Sequence, residues 1–287
     1  GPKCHVNCFR RLTGERVWGL DLVRDFGATV PPWYAGQCPL IDQGRVILAP
    51  GGPEALLIAV DPVTGTVVWR TPNPQGWKMT HTSVAVMELE GRRIYLYGAS
   101  GGVAAVDAGT GALLWTTGEW KINIAAIPTP VIIPPDRVLF SGGYNSGCAL
   151  FQFKTEGASI KGLQVFRLEA EQFGSDQQTP IYYEGYVYGV RPGGQMVCLD
   201  LSGKVLWTSG STHKFGLGPY LIADGKILAM DDTGTLSLMQ AVSGRFNLMG
   251  TARVLDGHDS WGPMALAGGR LIARDLTRMI CLDMEKR

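Results

Sequence analysis

The side chains best suited to metal or nucleophilic chemistry in this 287-residue chain are four histidines and six cysteines. The histidines are His5, His81, His213 and His258, and the cysteines are Cys4, Cys8, Cys38, Cys148, Cys198 and Cys281. Cys4 and Cys8 enclose His5 in a Cys-x-x-x-Cys segment, but haem attachment needs Cys-x-x-Cys-His, and zinc needs further ligands nearby. Cys8, Cys198 and Cys281 recur at one place in a repeated segment, just before its turn, which predicts small buried core residues rather than ligands. Asp231-Asp232-Thr233-Gly234 is rich in oxygen donors yet lacks the ligand density of a Ca²⁺ loop, and it reads as a plain turn between strands. The chain has no Gly-x-Ser-x-Gly elbow, no His-Glu-x-x-His and no phosphate-binding Gly-rich loop. With no complete catalytic constellation, no catalytic and no metal-ligating residue is assigned.

A second set of side chains suits recognition rather than reaction: Tyr34, His81, Trp120, Asn123, Asp176, His213 and Trp261, joined by Trp33 and Trp77. Aromatic residues presented on loops fit a peptide, a partner strand or the face of a sugar. The competing reading is that they pack between neighbouring sheets.

The elements that must position these residues are visible as an internal repeat. Four segments share one pattern: Thr13-Gly14 to Trp18, Thr64-Gly65 to Trp69, Thr110-Gly111 to Trp115 and Ser202-Gly203 to Trp207, with a degenerate copy at Ser243-Gly244. Most are preceded by an apolar strand ending in Asp, as in Ile58-Ala59-Val60-Asp61 and Val197-Cys198-Leu199-Asp200. Asp caps the turn, Gly supplies the positive φ that a bulged hairpin needs, and Trp contributes a large apolar face with one N–H to satisfy. The Trp positions are about 51, 46 and then 92 residues apart, the last being two repeats, and spacings in the forties match a four-stranded blade. The hairpin missing from the long gap falls near 148–168. Strands that begin next to Pro, such as Cys38-Pro39-Leu40 and Thr179-Pro180-Ile181, open the repeats. Helix-period segments are almost absent. The chain is therefore expected to be all-β, a β-propeller of four-stranded antiparallel blades with about six blades. The recognition residues fall in the connections from one blade to the next, which gather at one end of a propeller.

Composition agrees with this reading and excludes other classes. Gly is abundant at 39 residues, and charged residues make up only 18%. A net charge of +1 without a basic stripe argues against nucleic acid as a partner. No apolar run approaches the roughly 20 residues of a transmembrane helix.

The hairpin repeats resemble the PQQ-like propeller superfamily, which includes quinoprotein alcohol dehydrogenases and the propeller lipoprotein of the outer-membrane barrel assembly machinery. The chain is most similar to bacterial PQQ-binding-like repeat proteins. Three stretches carry that similarity: Val17 to Gly52, Ile127 to Val131 with Gly143-Tyr144, and the tail from Trp261 through Leu271. The resemblance implies an eight-bladed relative, so residues 1–287 are expected to be one propeller domain lacking amino-terminal blades. It also implies a periplasmic or extracellular location. A working quinoprotein would be expected to carry adjacent cysteines, Ca²⁺ ligands, an Arg at the quinone and an Asp base, and no two cysteines are adjacent here. The expected function is a non-catalytic scaffold that needs no cofactor and binds a polypeptide, as a partner of another protein or a subunit of an assembly. The alternatives are a PQQ- and calcium-dependent dehydrogenase and a carbohydrate-binding propeller.

Overall fold

The computed structural model describes residues 1–285 and is almost entirely β. The chain divides into two compact units, Gly1–Arg167 and Leu168–Arg287. The first opens with a ribbon of β1 (His5–Phe9) and β2 (Arg16–Asp21), followed by the short helix α1 (Leu22–Phe26). Three four-stranded sheets follow. The first holds β3 (Leu40–Asp42), β4 (Arg45–Leu48), β5 (Ile58–Val60) and β6 (Val67–Arg70). The second holds β7 (Ala85–Leu89), β8 (Arg92–Ala99), β9 (Gly102–Asp107) and β10 (Leu113–Thr117). The third holds β11 (Val131–Ile133), β12 (Arg137–Gly142), β13 (Gly147–Glu156) and β14 (Ser159–Leu168).

The second unit has the sheet of β15 (Ile181–Tyr183), β16 (Tyr186–Val190), β17 (Met196–Leu199) and β18 (Val205–Thr208). Next come β19 (Tyr220–Ala223), β20 (Lys226–Met230), β21 (Thr235–Gln240) and β22 (Leu248–Arg253), then the three strands β23 (Ala265–Ala267), β24 (Arg270–Arg274) and β25 (Met279–Asp283). In every sheet the spatial order follows chain order, an antiparallel meander. Among the described residues there are thus five four-stranded sheets, one of three strands and one of two.

The repeated hairpin works as its residue types dictate. Asp61 Oδ1 accepts from the Val63 and Thr64 amides and from the Thr64 hydroxyl, and Asp107 repeats this with Gly109 and Thr110. The strand register slips at the same place in several copies, between Cys8 and Phe9, Ala59 and Val60, and Cys198 and Leu199, the bulge that follows a left-handed Gly. The spacing of Gly and Trp has a tertiary cause. A Cβ on Gly65 would lie 2.8 Å from the Trp18 ring, and one on Gly111 only 2.5 Å from the Trp69 ring. Trp18 and Trp69 therefore each lie against the turn glycine of the next sheet, whereas Trp115 lies against Gly162 within β14. Trp18 Nε1 donates to the Pro62 carbonyl and Trp207 Nε1 to that of Val242, both at 2.8 Å.

The apolar core lies between sheets. Ile47, Ala59 and Trp69 of the first sheet meet Tyr95, Tyr97 and Ala104 of the second, and Leu96, Val103 and Ala105 meet Phe140, Ala149 and Phe151 of the third. Inner strands covered on both faces, such as β5 and β17, are buried at every residue. The equivalence of the three turn cysteines does not extend to burial. Cys198 is buried, Cys8 is half-buried and Cys281 is exposed. Cys8 stands in a ribbon only two strands wide, and Cys281 in the outermost strand of the three-stranded sheet. Helix α1 is too short to show a period in the sequence. Asp21 caps its first amides and left-handed Gly27 ends it.

Candidate functional site: a cleft where inter-sheet loops meet

In the unit Gly1–Arg167, the connections entering three successive sheets line one cleft of about 270 Å³. Thr29–Pro32 comes from the loop before β3, Lys78–His81 from the loop before β7, and Ile122–Ala126 from the loop before β11, with Ser100 from the β8–β9 turn. The second loop is anchored from beneath and tied to the third. The Thr80 amide accepts no freedom of position, because it donates to the Tyr97 hydroxyl at 3.0 Å while the Thr80 hydroxyl donates to the Gly98 carbonyl at 2.6 Å. The Lys78 amide donates to Ser100 Oγ at 2.8 Å. The His81 amide donates to the Ala126 carbonyl at 3.0 Å, tying the second loop to the third. Secured this way, an irregular backbone can present side chains in a fixed geometry.

His81 and Asn123 both line this cleft, and Trp33 followed by Tyr34 continues the chain from its Pro31-Pro32 wall. Burial holds the His81 imidazole below its usual pKa, although the backbone of Pro32 and Tyr34 pulls the other way, so the ring is neutral near pH 7. Trp33 and Tyr34 form an exposed knuckle, at 70% and 54% exposure, and both have left-handed backbone, φ 59° and 72°. Two consecutive aromatic residues in that region are strained, which marks a segment whose shape is imposed by its surroundings.

Trp120 is placed differently. It is 4% exposed, packs with Ile122 and Phe140 in the core, and carries the Arg167 guanidinium over its ring at 5.3 Å. Trp77 is half-buried, its indole lying on Gly101. In the unit Leu168–Arg287, Asp176 is half-buried in the loop before β15. The His213 ring tilts against Phe246 with 5.4 Å between centroids. Trp261 Nε1 donates to Asp232 Oδ1 at 2.8 Å, and the same oxygen accepts the Leu217 amide. Sequence reasoning missed the cleft's apolar lining, Val30, Pro31, Ile122 and Ile124. Their only signal was membership of the same connections as His81 and Asn123.

The oxygen-rich turn of the second unit spends its carboxylates within the fold. Asp231 Oδ1 is engaged by the Thr233 amide and hydroxyl and the Thr235 amide, as in the other repeat turns, and Asp232 is engaged by Trp261. Among the described residues, no three His, Cys, Asp or Glu side chains converge as ligands. Among the described residues, no helix is long and apolar enough to cross a membrane.

The sequence matches the family described as outer membrane protein assembly factor BamB over residues 3–202. No curated protein sequence matches it. Similar solved structures include BamB from Moraxella catarrhalis, with a TM-score of 0.67 and 17% identity over 97% of this chain and 76% of that one. The computationally designed Ika8 protein follows at 0.61 and 13%, covering 91% of this chain and 71% of that one. The quinohemoprotein alcohol dehydrogenase from Comamonas testosteroni gives 0.57 and 14%, covering 86% of this chain but only 51% of that one. At these identities the likeness concerns the fold, which is a β-propeller.

Proposed function

Because the chain belongs to the BamB family of PQQ-like repeat proteins, we propose that it is a scaffold that binds another polypeptide through the loop-lined cleft of its first unit. The proposal takes the chain as one propeller domain working in the cell envelope, as a subunit or partner of an outer-membrane assembly. The observation that carries it is the convergence of three loops, the second of them anchored and tied to the third, on one cleft beside the exposed Trp33-Tyr34 knuckle. Rigid aromatic side chains next to a preformed cleft supply contact area at low entropic cost, as binding centres commonly do. Tyr34, His81 and Asn123 are the contact residues in this reading, and Asp176, His213 and Trp261 are left out of it. Trp120 supports the third loop from below.

The test is retention of solubilised envelope proteins on the immobilised chain, compared with a Trp33→Ala/Tyr34→Ala variant and identified by mass spectrometry. An outer-membrane assembly subunit held by the parent chain and released by the variant is the expected result. Equal retention by both would remove the knuckle from the binding face. Saturable, calcium-dependent uptake of PQQ in a titration followed by visible absorbance would instead put quinoprotein chemistry first.

A further inference from the structure

The cleft has a consistent chemical character. Its apolar part is aliphatic, with Val30, Pro31, Ile122 and Ile124, and Ile124 remains 56% exposed. No carboxylate lines it, and its ionisable groups are Lys78 and His81. Lys78 is exposed and makes no ion pair among the described residues. The Asn123 side chain, also exposed, contributes an amide with both a donor and an acceptor. A cleft of about 270 Å³ falls below the roughly 300–1,000 Å³ of pockets that enclose a drug-sized molecule. That volume suits one or two side chains of a longer chain better than a whole cofactor.

From these features we infer that the cleft seats the carboxyl terminus of a partner polypeptide, its last aliphatic side chain between Val30 and Ile124 and its terminal carboxylate beside Lys78. The inference rests on the polypeptide-binding reading above and names the part of the partner that is held. Charge complementarity selects this occupant. An internal apolar segment would leave the Lys78 ammonium without a counter-charge, whereas a chain end brings both the apolar group and the anion within one residue. Capture of a terminal carboxylate is a recurrent mode of peptide recognition. The Asn123 amide is placed to pair with the peptide backbone one residue before the end.

The experiment is a fluorescence-anisotropy titration of the whole chain with a labelled eight-residue peptide ending in Leu, as the free acid and as the carboxamide. The free acid is expected to bind, and amidation to weaken binding about tenfold, the scale of one lost charge-assisted hydrogen bond. Lys78→Ala should weaken the free acid by a similar factor and erase the difference between acid and amide, while Lys78→Arg keeps it. Ile124→Asp should abolish binding of both peptides. Equal affinity for acid and amide in the parent chain, indifference to Lys78→Ala, or no binding of either peptide by the folded protein would each overturn the inference. If these fail while the parent chain still retains an assembly subunit through Trp33 and Tyr34, the carboxyl-terminal seat falls and the scaffold function stands. If the subunit is not retained either, both fall.

Discussion

In the unit Gly1–Arg167 neighbouring sheets are fastened by charged side chains, whereas in Leu168–Arg287 the corresponding ties are mostly neutral. Arg93 of β8 holds Asp42 of β3 through two contacts, Nη2 at 2.6 Å and Nε at 2.9 Å, and the Tyr95 hydroxyl donates to the same carboxylate at 2.7 Å. Arg93 also pairs with Glu88. Arg45 reaches the Ala108 and Gly109 carbonyls of the next sheet's turn, and Arg92 reaches that of Ala158. In the second unit the Gln178 amide bridges the Gly216 and Gly218 carbonyls, and Trp207 Nε1 meets the Val242 carbonyl. Its ion pairs, His258–Asp259 and Arg278–Asp256, each include an exposed side chain. The difference reaches into the repeat itself. Arg45 takes the Ala108 carbonyl, the counterpart of the acceptor that Trp18 and Trp207 use, and the Trp69 indole N–H is left without a partner among the described residues. One sequence motif therefore carries two different polar roles.

Substitutions can break or sharpen that contrast. The largest effect is expected from Trp207→Ala and Trp69→Ala, each costing about 3–5 kcal/mol in urea unfolding because a large buried ring leaves a cavity. If either cost less than about 1 kcal/mol, the repeat Trp would not be the main fastening in that unit. Next comes Asp42→Ala, which leaves Arg93 only Glu88 and removes the acceptor of the Tyr95 hydroxyl, and is expected to cost about 2 kcal/mol.

Asp42 also sets a pH dependence. Its carboxyl is held below the usual range chiefly by the hydrogen bond from Arg93, with burial opposing and Tyr95 assisting. A group lowered on folding stabilises above its unfolded pKa of about 3.9, and that stabilisation is lost as pH falls through the folded value. Melting temperature measured from pH 6 down to pH 2 should thus fall less steeply in Asp42→Asn than in the parent chain, and parallel curves would refute the assignment.

A smaller and sharper test is Trp→Phe. Trp207→Phe should cost about 1 kcal/mol more than Trp69→Phe, since only the former gives up a hydrogen bond and leaves a carbonyl unpaired. Equal costs would mean that the two fastenings do not differ. The smallest effect is expected at the exposed Arg10–Glu15 pair, where Arg10→Ala should leave the unfolding midpoint unchanged within error.

The strands and turns were legible because local chemistry specifies them. An Asp that can cap, a Gly at positive φ and an alternating apolar strand make the same hairpin wherever they recur. Even the hairpin near 148–168, which lacks the turn signature, showed its two strands, and it forms as β13 and β14. Burial was less legible. Cys8, Cys198 and Cys281 occupy the same repeat position yet range from buried to exposed, because exposure depends on the next strand and not on the residue. Trp120 lies in a connection, as its position suggested, but Arg167 and the Phe140 cluster enclose it. The loops of the cleft were found through His81 and Asn123, while Lys78 and Ile124, which give the cleft its chemical character, had no motif to mark them.

The sequence by itself therefore determined the repeated hairpin and the all-β class, since each follows from turn geometry or side-chain period within short stretches of chain. Only the tertiary structure decided which loop residues face one another across the cleft, which repeat Trp keeps its hydrogen bond, and which sheets are joined by arginine. Those outcomes depend on contacts between residues tens of positions apart, where a single competing donor such as Arg45 is enough to change the partner.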